Sequence, residues 1–170
     1  MVALVYATLW IIASLKLADR NWKPYYPTLL YAALGNGLYE LLCYNYPLWR
    51  MEPNGLQYSM IPILLLTLIG MPLSTWIYLS HYPSGKRLSF QALYIGLYCI
   101  VFVILEYVSV KLGAITYHND WNLLWSLSFV IIMFVMLRLH FLRPLIALML
   151  SVAVSVSLCL IFTVTLDKMK

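Results

Sequence analysis

The chain has 170 residues, of which 64% are hydrophobic and only 10% charged, with a mean hydropathy of +0.86 and a formal net charge of +5. No soluble core uses that much apolar surface, and at about 20 residues per span the length holds roughly six membrane helices and no separate soluble domain. The expected fold is an all-α, polytopic transmembrane bundle, one integral membrane domain over residues 1–170.

Apolar run length and breaker residues place the spans at about 2–17, 27–44, 58–80, 90–111, 121–140 and 144–166. The first lacks a basic leading region and a small-residue cleavage site, so it reads as a transmembrane helix rather than a removable signal. In the second, Asn36, Gly37, Glu40 and Tyr44 recur at helical spacing, which puts an amide, a gap, a carboxylate and a phenol on one face. The third carries Thr67, Gly70, Ser74 and Tyr78 on a comparable face, and Pro62 and Pro72 are expected to bend it. In the fourth, Phe102, Glu106 and Ser109 line one face. The fifth opens with Trp121 and Trp125 one turn apart, a pair that can wall a site or pack. Along the sixth, Ala147, Ser151, Ser155, Cys159 and Thr163 recur every four residues, a small-residue stripe that lets another helix approach closely.

Basic residues orient the bundle through the positive-inside bias. Lys16, Arg20, Lys23, Lys86, Arg87, Arg138 and Arg143 fall on one side, and Arg50, Lys111, Lys168 and Lys170 on the other, so both termini are expected outside. Arg138 and His140 are expected to snorkel to headgroups on the inner side. The positive charge fits anchoring to anionic membrane lipid and not nucleic-acid binding. Cys43, Cys99 and Cys159 lie inside spans without a C-x-x-C pair, which speaks for packing and against a disulfide framework or metal site. Most of the fourteen tyrosines, with Trp22, Trp49 and Trp121, stand near span ends as interface anchors.

Two carboxylates break this apolar pattern. Glu40 and Glu106 each lie roughly 8 to 10 Å inside the same boundary at 1.5 Å per residue, and an ionisable group at that depth is costly enough to mark a functional site. The ordinary alternative is a protonated or hydrogen-bonded Glu that joins helices. Beyond Glu106, Tyr117, His118, Asn119, Asp120 and Asn122 crowd polar groups into one loop that includes Trp121, and the loop after Glu40 brings Tyr44, Asn45 and Arg50 to the same side. Each of two hairpins begins with a buried Glu and ends in His plus an aromatic, an echo suited to a parallel repeat with Glu40 facing Glu106.

The expected ligand- or proton-binding set is therefore Glu40, Glu106, Asn36, Tyr44, Tyr117, His118, Asn119, Asp120 and Trp121, with no cofactor and no metal. H-E-x-x-H, G-x-S-x-G and phosphate-loop patterns are absent, and the other two histidines, His81 and His140, fall at the opposite face. The leading expectation is a protein that binds or transports a small molecule or ion. A subunit assembling with a membrane protein partner or a second copy through the sixth-span stripe is the alternative, and a lipid-modifying enzyme the third reading.

The segments PTLLYAALGNGLYELLCYNYPLW, YLSHYP, YHNDWNLLWS and MLRLHFLRP resemble the recurrent segments of an uncharacterised family of small multi-pass membrane proteins of spore-forming Gram-positive bacteria. The resemblance covers nearly all of the chain after the first span. It implies a bacterial plasma or spore membrane and brings no established activity.

Overall fold

The apolar runs fold into helices close to where their lengths and breakers put them. A computed structural model describes residues 1–169, so the expected outer cation Lys170 lies outside the described residues. The helices are α1 (Val2–Leu17), α2 (Tyr26–Leu42), α3 (Met60–Ser80), α4 (Leu88–Lys111), α5 (Leu123–Leu142) and α6 (Pro144–Ile161). Two short antiparallel strands, β1 (Trp49–Met51) and β2 (Ile115–Tyr117), join the loops after α2 and α4. α3 to α6 are each long and apolar enough to cross a membrane, and α1 is a shorter apolar helix. Leu15, Leu88, Leu124, Leu145 and Leu160 stand exposed on the helix surfaces, a coat that suits lipid and not water. The protein is a multi-pass, membrane-embedded helical bundle.

Punctuation residues act as their chemistry requires. Pro72 has no N–H and its ring crowds the carbonyl four residues earlier. α3 meets this by widening: Leu66–Gly70 form a π-helical turn, with the Met71 N–H bonded to the Leu66 carbonyl. The distortion of the helix is thus found just before Pro72, whereas Pro62 sits in the first turn. α5 starts at Asn122, whose side chain accepts the N–H groups of Leu124 and Trp125.

α4 ends in a Schellman turn. Gly113 at φ +67 donates to Val110, and Ala114 donates to Ser109 at 2.8 Å. α6 stops in the same way, with Thr163 at φ +52 and Val164 donating to Cys159. The sixth helix is therefore shorter than expected and Thr163 leaves the stripe. α2 likewise ends at Leu42, so Tyr44, 54% exposed, is off the face shared by Asn36 and Glu40.

α5 occupies the middle, packed against α4, α6 and α2, while α3 packs against α2 and α1. Tyr78 is fully buried among Tyr82, Tyr94, Tyr98 and Phe134. Its hydroxyl donates to the Phe134 carbonyl at 3.1 Å, and Tyr94 donates to the Tyr78 carbonyl at 2.9 Å, so a buried polar layer is satisfied across three helices.

One expectation changes on packing. His140 does not snorkel: it is 7% exposed, stacks on Tyr31 at 4.1 Å, and lies in a 3.0 Å hydrogen bond with Thr28. Only Arg138 reaches outward, over the Tyr82 ring and onto Ser84. The first half of the small-residue stripe packs within the chain, as a close helix approach requires. Ala147 is fully buried, and Ser151, which donates to the Ala147 carbonyl, accepts the Tyr31 hydroxyl.

Both described ends of the chain gather at the ribbon. The Met1 amino group and the Val2 N–H bond Asn54, and Asn45 bonds Lys168 and Met169.

Candidate functional site

β1 and β2 run antiparallel with Trp49 opposite Tyr117, Arg50 opposite Thr116 and Met51 opposite Ile115. The two-residue period of a strand gives the ribbon two faces. Trp49, Met51 and Tyr117 turn to the bundle, where Trp49 stacks on Tyr39 and Met51 is 8% exposed. Arg50 and Thr116 turn away. The Thr116 hydroxyl donates to Glu52 Oε1 at 2.8 Å and so accepts from His118 Nε2 at 2.9 Å. The ribbon is thus a cap with an aromatic underside and a polar top.

The Schellman turn after α4 makes the site beneath it. By reversing the chain at Gly113 it folds β2 back along the helix, so that Tyr117 donates to Glu106 Oε1 at 2.7 Å. From α5, Ser126, 3% exposed, donates to the same oxygen at 2.5 Å and itself accepts the Trp121 indole N–H at 2.8 Å. Two hydroxyls converge on one carboxylate oxygen, while Oε2 takes no hydrogen bond among the described residues. Burial, with the bond to Glu106 second, pushes the Tyr117 phenol above its ordinary range, so Tyr117 stays a donor. Trp121, Trp125, Phe129 and Phe162 pack around this triad at ring separations of 5.0 to 6.4 Å.

Apart from Tyr44, the expected residues separate into four groups. Glu106, Tyr117 and Trp121 come together. Asn119 and Asp120 adopt left-handed backbone, φ +52 and +64, as turn formers between β2 and α5, and Asn119 ties the two loops by donating to the Pro47 carbonyl at 2.7 Å. His118 is exposed on the top of the ribbon. Asn36 donates to Thr67 at 2.6 Å in the π-helical turn of α3, and Glu40, half-buried, takes no hydrogen bond among the described residues, its electrostatic partner being Arg50.

Glu40 and Glu106 therefore hold different partners. α2 packs mainly on α3 and α5, and α4 mainly on α5, so the helices carrying the two glutamates are not principal neighbours. Each glutamate still stands nine residues before its strand, Glu40 before Trp49 and Glu106 before Ile115, and the two strands meet. The hairpins α2–α3 and α4–α5 are each packed.

Sequence reasoning did not single out Ser126, Tyr39, Glu52 or Thr116, whose roles depend on which helix faces and strands meet. Two apolar crevices lie along α1, one of about 250 Å³ beside Tyr6 and Trp10 and one of about 280 Å³ beside Leu4 and Thr8. No group of three His, Cys, Asp or Glu side chains able to hold a metal ion occurs among the described residues. No protein-family model, curated protein or solved structure matches this chain.

Proposed function

We propose that this membrane protein binds a small cation, the proton above all, at Glu106, and that the ribbon covers that site. The carrying observation is the one-sided bonding of Glu106: Tyr117 and Ser126 both donate to Oε1, leaving Oε2 to take a proton. The rings packed around the triad favour an occupant of this size over a bulky ligand. A carboxylate inside a membrane helix is stabilised by such charge-assisted donors, and protonation relieves the remaining cost of burying charge. Glu40, with Arg50 as its electrostatic partner, is the second station of this reading. The resemblance and the basic-residue asymmetry support a bacterial cytoplasmic or spore membrane with the ribbon outside.

Infrared difference spectroscopy on acidification of the reconstituted protein tests the assignment. A carboxylic C=O band that appears in the wild type and is missing from Glu106→Gln is expected, and an identical band in both overturns it. Proton flux into dye-loaded liposomes then separates transport from binding: flux that Glu106→Gln abolishes makes the protein a proton pathway.

A further inference from the structure

Tyr39 lies on α2 beside Glu40, and its hydroxyl is used three times over. It accepts the backbone N–H of Leu48 at 3.1 Å and of Trp49 at 2.8 Å, and donates to the Trp49 carbonyl at 2.5 Å. A phenol has one proton and two lone pairs, so this oxygen is fully engaged. The ring also lies flat on the Trp49 indole, centroids 4.5 Å apart and planes 1° apart.

The segment that Tyr39 grips is the one on which the rest of the cap depends. The His118 N–H donates to the Leu48 carbonyl at 2.8 Å and the Asn119 amide to the Pro47 carbonyl. Trp49 is the register partner of Tyr117, and Tyr117 holds Glu106. A path of direct contacts thus runs from α2 through Trp49 and Tyr117 to a carboxylate on α4.

We infer that Tyr39 is the positioning residue of the Glu106 site: it pins the Pro47–Trp49 segment to α2, and thereby sets the Tyr117 hydroxyl on Glu106 and keeps the ribbon closed against water. The inference rests on the reading of Glu106 as a capped proton site. It also assigns the coupling between the two glutamate-bearing helices to the ribbon, since Tyr39 and Glu40 are adjacent on one helix. Tyr39→Phe keeps the ring and its stacking and removes only the shared oxygen, so two N–H groups lose their acceptor and the cap loosens.

Access to Glu106 is the readout. The wild type and the variants, each as full chain in nanodiscs at one fixed pH, are treated with a water-soluble carbodiimide and an amine, and the rate of Glu106 modification is followed by peptide mass spectrometry. Asp19, in the loop after α1 at the other end of the bundle, serves as the internal control. Tyr117→Phe and Tyr39→Phe are each expected to speed modification of Glu106 by about tenfold, the factor that accompanies 1.4 kcal/mol of lost closure. The double variant is expected to be no faster than the faster single one, because both act through one contact path. Asp19 is expected to react at an unchanged rate.

If Tyr117→Phe leaves the rate unchanged, the capped-site reading itself fails. If Tyr117→Phe speeds the reaction while Tyr39→Phe does not, or if the two effects multiply in the double variant, the positioning role alone is overturned. A parallel rise at Asp19 also overturns it, since that marks general loosening. Trp49→Leu removes the stacking and keeps the backbone bonds to Tyr39, so should Tyr39→Phe fail to fold, a rate at Glu106 unchanged in Trp49→Leu overturns the role and a faster one sustains it.

Discussion

Ser126 on α5 donates its hydroxyl to Glu106 on α4 at 2.5 Å while accepting the Trp121 indole N–H at 2.8 Å. One small side chain therefore joins a carboxylate to an indole that is itself 6% exposed. Removing it leaves a buried donor without an acceptor, and a half-buried carboxylate without one of its two donors; a buried unsatisfied group costs about 1–3 kcal/mol. Ser126→Ala is expected to lower the unfolding free energy in detergent by that order. Ser128→Ala, on the exposed side of the same helix with its hydroxyl bonded to the Leu124 carbonyl, is expected to change it by less than about 0.5 kcal/mol. Equal effects of the two substitutions in thermal unfolding would remove Ser126 from the site.

The two Schellman turns make opposite predictions from one geometry. Gly113 sits at φ +67 with open space around the position a Cβ would take, so Gly113→Ala meets a conformational penalty and no clash. A left-handed residue other than glycine costs about 1–2 kcal/mol, and that is the expected loss. Thr163 already carries this penalty at φ +52. Thr163→Gly is expected to stabilise the chain by up to about 1 kcal/mol, reduced by the extra freedom glycine gives the unfolded chain. Thermal midpoints that move the same way in both variants would contradict the assignment of Thr163 to the turn.

The same turns show what the sequence discloses and what it conceals. Helix spans follow from run length, and Pro62, Pro72, Gly113 and Pro144 punctuate them, so the bundle is legible to within a few residues. Asn122, directly before an apolar run, carries a start signal that the crowd of polar residues around it obscures. Asn119 and Asp120 resemble the lining of a vestibule, but their common property is tolerance of left-handed backbone. The strands have three residues each, too few for a two-residue period to stand out in the sequence. Ser126 and Ser128 are alike as letters, and only the packing of α4 on α5 decides which one meets Glu106. The two glutamates were legible as exceptions to the pattern. Their partners lie 11 and 20 residues away from Glu106, and for Glu40 in the ribbon, at separations no helical spacing reports.

Tyr117 gives the site a pH signature on the alkaline side. Its phenol is held above the ordinary range, first by burial and then by the bond to Glu106. The unfolded chain therefore releases this proton before the folded one does. The stabilisation linked to Tyr117 is complete below about pH 10 and declines as pH rises from there through the raised folded value. Unfolding temperatures measured between about pH 8 and 11 are expected to fall more steeply for the wild type than for Tyr117→Phe. Parallel declines would mean that Tyr117 ionises as freely in the folded chain as in the unfolded one.

The proposed orientation, with the ribbon outside, rests on the charge asymmetry, and both described ends lie at the ribbon. Lys16, Arg20, Lys23, Lys86, Arg87, Arg138 and Arg143 lie at or beside the connections opposite the ribbon, and the cytoplasmic side attracts such excess. Single cysteines at Gln57 and Asp120, both exposed at the ribbon end, are expected to react in intact cells with a membrane-impermeant maleimide. A cysteine at Ser84, exposed in the loop between α3 and α4, is expected to react only after the membrane is opened. The native Cys43 and Cys99 are buried, and Cys159 is part of the packed cluster around Trp121, so the background is low. The reverse pattern would put Glu106 and its cap on the cytoplasmic face, where the proton it binds would come from inside the cell.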